Sequence, residues 1–324
     1  MKRRDFLVAA AAFAALPAHS QPRATLRRVA VISIRDRESF RPQLDSLLAG
    51  LREHGYVDGK SVELDVRYGN GVQAEIPTLL REALAAKAEI VVVGGIANAM
   101  LAKQATTTVP IVVYTMSDPV AAGLVASFAR PGGNVTGLAD LADETTLKRL
   151  EFAAAAVPNA RRLLLFLDPA FPATKRIEAQ LNDAAKALRV RIEPVYVTDR
   201  VTIEKALATL DKSRNEVLVA GPTSVLVVNA KLLIEGALAR GVPVVHFWTG
   251  TAEQGALLSH AVDINQNLRR TGFYVGRILK GARPGDLPIE QPSKYELTLN
   301  LKTAKQLGIT IPQAFLARVD QVIE

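Results

Sequence analysis

The chain contains no cysteine, and this absence excludes several kinds of chemistry at once. Without a thiol there is no disulfide, no cysteine nucleophile, no thiolate-bound metal and no lipid attached through an N-terminal cysteine. Histidine is scarce, and the four histidines, at positions 19, 54, 246 and 260, show no metal-ligand spacing. We expect His54 to lie at the surface. His246 ends a strand and either lines a cleft or packs as a satisfied histidine.

The motifs of nucleotide and acyl-transfer chemistry are also missing. No Walker loop, no Gly-x-Gly-x-x-Gly after a strand and no Gly-x-Ser-x-Gly turn occur. A two-lobed racemase acting on acidic amino acids would need paired cysteines. The sequence therefore offers no obvious nucleophile, base or cofactor site, and we expect neither catalysis nor a cofactor.

The sequence has neither an extended cluster of basic residues nor an apolar run long enough to span a bilayer. The 40 Lys and Arg against 32 Asp and Glu are scattered, without a basic stripe interleaved with aromatics, so a nucleic-acid partner is not expected. The apolar run at 6–16 is too short to span a bilayer, and no later segment is apolar enough to do so. A basic start before this run and small residues after it predict that residues 1–20 are a secretory signal, with Arg3-Arg4 favouring the twin-arginine route to the periplasm.

Short apolar runs alternate with amphipathic stretches along the rest of the chain. This pattern predicts an α/β fold of two Rossmann-like lobes, since 324 residues are many for one core. The predicted parallel strands lie at 28–33, 62–68, 90–93 and 109–113, and again at 163–167, 190–197, 216–220 and 242–246. We expect an N-terminal lobe of residues 21–138 plus about 263–292, and a C-terminal lobe of residues 139–262 plus about 293–324. No element is predicted for the tail at 312–324.

The stretch after the fourth strand organises the first lobe. Asp118 is a good helix N-cap with Pro119 at the first helical position, so a helix is predicted from there to about residue 129, stopped by Pro131. Free N–H groups and hydroxyls at such a helix start favour an anionic group. The alternative is a well-capped connection without a ligand.

Polar residues follow several strands, and ligands of open α/β sheets bind beyond these strand ends. Hydroxyls suited to a carboxylate belong to Ser33, Thr115, Ser117, Thr223 and Ser224. Asp118 or Asp168 could hold an ammonium group, although Asp118 could equally serve only as a cap. Tyr114, Phe247 and Trp248 could flank an apolar or aromatic side chain, although a lone tryptophan could equally belong to the core.

One segment reads Ser117-Asp118-Pro119-Val120, then Gly123-Leu124-Val125, then Ala129-Arg130-Pro131-Gly132-Gly133-Asn134-Val135-Thr136-Gly137. It resembles the hallmark run of the ABC-transporter substrate-binding proteins related to the tryptophan-binding component. Further matches lie at 55–60, 104–106, 278–282, 286–292, 300–308 and 322–324, so the resemblance covers nearly the whole chain after the predicted signal.

The resemblance implies a type I periplasmic binding fold with three crossing segments and hinge closure over a small ligand. It implies delivery to a permease and an ATPase made by other chains. Ligand contacts would come from strand-end loops, here Ser33, Gly95, Ile96, Ala97, Asn98, Thr115, Ser117, Asp118, Asp168, Thr223 and His246. The family often has Thr-Pro or Ser-Pro where this chain has Ile96-Ala97, so one hydroxyl is missing here.

Three hypotheses follow. The first is the periplasmic solute-binding component of an ABC importer, capturing an amino acid, aromatic or branched, or a related carboxylate. The second is a periplasmic protein of the same fold that presents its ligand to a membrane receptor. The third is an enzyme on a two-lobed scaffold, against which the missing motifs argue.

Overall fold

The computed structural model describes residues 26–140, 142–292 and 295–324. Within these ranges the chain forms two separate β-sheets, each covered by helices, and the predicted α/β class is confirmed. The predicted secretory signal lies outside the described residues. None of the helices in the described part is both long and apolar enough to cross a bilayer.

The first sheet is entirely parallel. Its described strands run in the order β2-β1-β3-β4-β5 and are β1 (Arg27–Ser33), β2 (Val62–Tyr68), β3 (Ile90–Val93), β4 (Ile111–Val113) and β5 (Val135–Gly137). The helices between them are α1 (Arg37–Glu53), α2 (Ile76–Ala85) and α3 (Ile96–Ala105). Strands β3 and β4 are buried throughout, as apolar β-branched runs in a doubly covered sheet must be.

The second sheet is larger. Among the described residues its order is β12-β11-β10-β9-β8-β6-β7, formed by β6 (Arg162–Leu167), β7 (Arg191–Tyr196), β8 (Glu216–Ala220), β9 (Val244–His246), β10 (Leu258–Ala261), β11 (Glu296–Asn300) and β12 (Gln321–Ile323). Its pairs are parallel except β10 with β11. The accompanying helices are α4 (Ala142–Ala156), α5 (Thr174–Leu188), α6 (Arg200–Ala208), α7 (Ser224–Val228), α8 (Ala230–Leu238), α10 (Leu301–Leu307) and α11 (Gln313–Leu316).

Helix α9 (Ile264–Leu279) follows β10 but packs on α1 of the first sheet. The two helices meet at glycines: a Cβ at Gly50 would lie 1.9 Å from the carbonyl oxygen of Arg269, and one at Gly272 would lie 2.4 Å from the carbonyl carbon of Gly50. Only glycine permits such an approach.

Because α9 packs on the first lobe between two strands of the second sheet, the chain crosses between the sheets three times: after β5, after β10 and before β11. The residue bounds predicted for the two lobes stay a prediction.

The helix predicted at 119–129 is wrong. The segment is a series of turns, because Asp118 and Gly123 adopt left-handed φ angles of 36° and 68° that a continuous α-helix cannot contain. The side chain of Asp118 does accept a hydrogen bond from the Ala121 amide, at 3.1 Å, so its capping chemistry is used in a turn.

The chain terminus is more ordered than expected. The tail at 312–324, for which no element was predicted, contains α11 and the edge strand β12. Strand β12 pairs in parallel with β11, and Asp320 accepts a hydrogen bond from the Leu297 amide at 2.9 Å just before it. Three residues are too few to give a periodic strand signal, which explains the omission.

Candidate functional site

A cavity of about 240 Å³ lies between the two sheets, beyond the carboxyl ends of the central strands. Ends of parallel strands from both lobes converge there, as the topology of open α/β sheets requires. Its lining includes eleven of the residues suggested by the sequence as ligand contacts: Gly95, Ile96, Ala97, Tyr114, Thr115, Ser117, Asp168, Thr223, Ser224, Phe247 and Trp248.

Arg149 brings a positive charge into the cavity from the second lobe. It lies on α4, lines the cavity and is only 2 % exposed. One guanidinium nitrogen, Nη2, donates to Thr146 Oγ1 at 2.7 Å, while the buried Nε has no hydrogen-bond partner among the described residues. Burial lowers the pKa of Arg149 to about 10, against the raising effect of Asp140, so the guanidinium remains charged at neutral pH.

Asp140 brings a negative charge to the same cavity from the first crossing segment. Its carboxylate accepts hydrogen bonds from Thr115 Oγ1 at 2.9 Å and from Ser117 Oγ at 2.7 Å. Two of the five hydroxyls predicted to hold a ligand carboxylate therefore donate to Asp140 instead and fix its position. A carboxylate and a guanidinium thus border one cavity, and the burial of Arg149 makes electrostatic interactions at its guanidinium stronger than in water.

Aromatic side chains form much of the remaining wall. Phe171, Phe247, Trp248 and Tyr295 all line the cavity. The guanidinium of Arg149 lies 5.7 Å from the ring centroid of Phe247. The Phe247 ring also stacks on His246 at 5.0 Å and meets Trp248 edge-on at 6.3 Å. Offset and edge-on aromatic contacts of this kind suit an apolar or aromatic ligand group.

Two further lining residues have buried polar atoms with no partner among the described residues: His260 Nδ1 and Gln73 Oε1. Burial, reinforced by the charges of Arg149 and Lys148, lowers the pKa of His260 to about 4 and keeps its ring neutral. The ring packs edge-on against Phe152 at 4.9 Å. An unpartnered polar atom facing a cavity is a place where a ligand recovers a hydrogen bond.

The first lobe presents the start of α3 to the cavity. Gly95 precedes this helix with a left-handed φ of 85°, and no side chain caps its N-terminal amides. Gly94 is required next to it, because a Cβ there would lie 2.0 Å from Cζ of Tyr114. Burial raises the pKa of Tyr114 to about 12, so its hydroxyl is protonated. Arg35 also lines the cavity, and burial lowers its pKa.

Asp168 lies at the end of β6 and lines the cavity. Its Oδ1 accepts a hydrogen bond from the Ala170 amide at 2.8 Å, and burial raises its pKa. Thr223, at the end of β8, caps α7 through a hydrogen bond from the Leu226 amide at 3.4 Å. Asp168 and Thr223 therefore both form hydrogen bonds within their own loops and also line the cavity.

Four residues that were expected to contact ligand lie outside the cavity wall. Ser33 is buried and accepts a hydrogen bond from the Arg35 amide at 3.0 Å. Asn98 lies inside the first turn of α3 and donates to the Gly94 carbonyl at 2.9 Å. His246 is fully buried, accepts a hydrogen bond from the Trp248 amide at 3.1 Å, and has its pKa lowered to about 3 by burial.

The fourth residue, Asp118, points away from the cavity and forms an ion pair with Arg176 of α5, with an Oδ2 to Nη2 distance of 2.9 Å. Ser33 and His246 are the last residues of β1 and β9, Asn98 lies within α3, and only Asp118 lies in a loop. A position near the carboxyl end of a strand therefore indicated the region of the cavity but did not specify the direction of these side chains.

Sequence reasoning missed Arg149 and Asp140. Arg149 lies on the buried face of α4 with Thr146, Leu150 and Ala153. The sequence signal that could have revealed Arg149 is therefore a charged residue on the apolar face of an amphipathic helix. Asp140 follows β5, a strand of three residues that gives no recognisable pattern.

No group of three or more His, Asp or Glu side chains placed for a metal ion occurs in the described ranges.

Comparison with known proteins adds to this geometry. The profile of the ABC transporter substrate binding protein family matches residues 28–323. A curated relative, the tyrosine-binding protein of Clostridioides difficile (strain R20291), is 24 % identical over 272 residues, which cover 83 % of this chain and 78 % of the relative.

Two solved structures are similar over nearly the full length. One is a conserved domain protein from Vibrio cholerae, with 28 % identity, a TM-score of 0.82, and coverage of 91 % of this chain and 99 % of the other. The other is an ABC domain in complex with L-Trp from Streptococcus pneumonia, with 25 % identity, a TM-score of 0.80, and coverage of 92 % and 100 %. The architecture is the type I periplasmic binding fold that the resemblance implied.

Proposed function

The chain belongs to the ABC transporter substrate-binding protein family, and we propose that it captures a zwitterionic α-amino acid with an aromatic or branched apolar side chain. We further propose that it acts in the periplasm after export and delivers this solute to the permease and ATPase of an importer. Binding favours the closed arrangement of the lobes, because both lobes contribute to the wall of the cavity.

The observation that carries the ligand proposal is the presence of Arg149 and Asp140 in one cavity. An α-amino acid has a carboxylate and an ammonium group on neighbouring atoms. Arg149 offers guanidinium nitrogens to the carboxylate, and Asp140 offers an already oriented carboxylate to the ammonium group. A simple carboxylate would satisfy only the first of these, and a sugar neither charge.

The side-chain preference rests on the apolar part of the wall. Phe171, Phe247, Trp248 and Tyr295 surround the space that remains after the charged end is satisfied. Relatives that bind tyrosine and L-Trp support an aromatic ligand. The missing hydroxyl at Ile96-Ala97 leaves the choice among apolar side chains to experiment.

The deciding experiment is thermal unfolding of residues 21–324 against the common amino acids, matched amines, matched carboxylates and several sugars. A ligand at about a hundred times its dissociation constant adds roughly 2.7 kcal/mol to the free energy of unfolding. We expect a shift with one or more apolar amino acids and little with phenylpropionate or phenethylamine, each of which lacks one of the two charges. Equal shifts with an amino acid and its carboxylate analogue, or a shift with sugars alone, would contradict the proposal.

A further inference from the structure

Gln73 contributes a polar group to the cavity at a distance from the charged pair. It begins a short 3₁₀ turn after β2, and its Nε2 donates to Asn98 Oδ1 at 2.7 Å, so the side chain reaches over the end of β3 to the start of α3. Asp140 instead follows β5, two places further along the sheet. The ends of β3 and β5 are therefore roughly 10 Å apart, since neighbouring strands are about 4.8 Å apart. An elongated ligand held at its charged end by Asp140 would extend towards Gln73.

The hydrogen bonds around Gln73 fix which atom of its amide is free. Asn98 Nδ2 donates to the Gly94 carbonyl at 2.9 Å, and a carbonyl can only accept, so Asn98 must turn its Oδ1 towards Gln73. Gln73 must in turn present its Nε2 to that oxygen. The atom left over is Oε1 of Gln73, which is buried and has no hydrogen-bond partner among the described residues. It is a pure acceptor, and only a donor can satisfy it.

The second lobe shelters this end of the cavity. A Cβ at Gly71, two residues before Gln73, would lie 3.9 Å from Cβ of Val228 on α7, and one at Gly95 would lie 3.6 Å from Ser224 Oγ. The two lobes are therefore in van der Waals contact on either side of Gln73. An acceptor that is buried without a partner costs free energy, so a donor that reaches it contributes more than it would at an exposed surface.

The start of α3 lies beside the same amide and offers only donors. No side chain caps the N-terminal amides of this helix, and Ile96 and Ala97, which line the cavity there, carry no hydroxyl. A ligand hydroxyl at this place would donate to Gln73 Oε1 and accept from one of these amides, whereas a C–H group would leave both unpaired.

We propose that Gln73 determines the side-chain specificity of the cavity by accepting a hydrogen bond from the tip of the ligand's side chain. The cavity then favours an aromatic amino acid whose side chain ends in a hydroxyl or N–H group over one of the same shape that ends in C–H. Asn98 is the positioning residue that orients the Gln73 amide. This inference rests on the function proposed above and narrows its ligand class.

Calorimetric titration with two matched pairs of amino acids tests the proposal. Tyrosine and phenylalanine differ only in the hydroxyl, and tryptophan and benzothienylalanine differ only in the indole N–H, which a sulfur replaces. We expect the wild type to bind the donor-bearing member of at least one pair about ten- to hundredfold more tightly. Gln73→Met keeps the size of the side chain and removes the acceptor, so the ratio of the two affinities is expected to fall close to one.

The ratio within a pair separates a ligand contact from a structural role, because a change in folding or lobe closure affects both members equally. Gln104→Met is the matched control, since it removes a glutamine amide from the exposed face of α3. The control is expected to keep the wild-type ratio. Equal affinities within both pairs in the wild type, an unchanged ratio in Gln73→Met, or the same loss of ratio in Gln104→Met would each overturn the proposal.

Failure of this inference can be told apart from failure of the proposed function. If both members of a pair bind equally and Arg149→Met weakens both, the amino-acid site stands and only the role of Gln73 is wrong. If the folded wild type binds no amino acid, the proposed function and this inference fail together. Thermal unfolding without ligand checks that each variant is folded.

Discussion

Asp118 and Arg176 connect the two lobes directly, with Oδ2 of Asp118 lying 2.9 Å from Nη2 of Arg176. Asp118 ends the strand-end loop after β4 in the first lobe, and Arg176 belongs to α5 in the second. The pair lies outside the cavity wall, so we expect it to affect the arrangement of the lobes rather than to contact the ligand.

Asp118→Asn is expected to weaken ligand binding modestly by destabilising the closed form. Asparagine tolerates the left-handed φ of 36° and retains the turn, so only the charge is lost. Both side chains are about 40 % exposed, and an exposed ion pair contributes roughly 0.2–1 kcal/mol, which corresponds to an affinity loss of up to about fivefold. Calorimetric titration at low and high salt measures the effect.

The same loss in Arg176→Gln, and no further loss in the double variant, would identify the pair as the cause. A salt-independent effect, or one that adds up in the double variant, would contradict this interpretation.

Arg149→Met is expected to reduce amino-acid affinity by about one to two orders of magnitude, since a hydrogen bond to a charged group contributes roughly 1.5–3 kcal/mol. The free energy of unfolding is not expected to fall, because burial already disfavours the charged guanidinium in the ligand-free protein. Titration of the amino acid and thermal unfolding without ligand measure the two effects separately. Arg318→Met, which removes an exposed cation near Phe152 on the same lobe, is the control. Wild-type affinity in Arg149→Met would exclude Arg149 as the carboxylate partner.

The stability of the protein is expected to fall as the pH is lowered from about 6.5 towards 4. The folded-state pKa of His246 is about 3 and that of His260 about 4, both below the ordinary value of 6.5, because burial disfavours the charged rings. The unfolded chain therefore takes up protons first as the pH drops, and the stability that is fully present above pH 6.5 is lost below it.

The variant His246→Asn tests this assignment, because an asparagine carbonyl can still accept from the Trp248 amide. We expect its melting temperature to vary less between pH 7 and 5 than that of the wild type. His54→Gln, at the C-terminus of α1, is the control. An identical pH dependence of all three proteins would assign the effect to other groups.

Gly50→Ala is expected to destabilise the protein by about 1–3 kcal/mol through overpacking. The new methyl would meet the carbonyl oxygen of Arg269 at 1.9 Å, and backbone atoms can yield only if α1 and α9 move apart. The matched control is Gly133→Ala, where a Cβ meets nothing within 4 Å. Urea unfolding compares the two variants, and equal stability would show that the helix contact is less rigid than described.

Much of the fold is predictable from this sequence because buried parallel strands are continuous apolar runs. Strands such as β3, β6 and β8 are recognisable for this reason. Three-residue strands such as β5 and β12 are not, and the turns after Asp118 were mistaken for a helix, because Pro119 is as compatible with a turn as with a helix start.

The site was less predictable than the fold. Strand-end loops indicated the correct region, since Thr115, Ser117 and Trp248 all border the cavity. Which side chains face the space depends on turn geometry and on helix α4, which contributes Arg149 through its buried face. Local sequence specifies helix α4 but not that its buried face borders the opposite lobe.

The glycine contact between α1 and α9 has a consequence for the order in which the protein assembles. Leu47 and Leu51 of α1 pack in the same core as Leu268 and Val275 of α9. More than two hundred residues separate the two helices along the chain, including most of the second sheet. On the ribosome, the first lobe therefore cannot cover this face until the second lobe has largely been synthesised. The lobe that begins first is thus completed only after most of the second has been made, and a nascent chain halted before residue 264 would expose an apolar surface to chaperones.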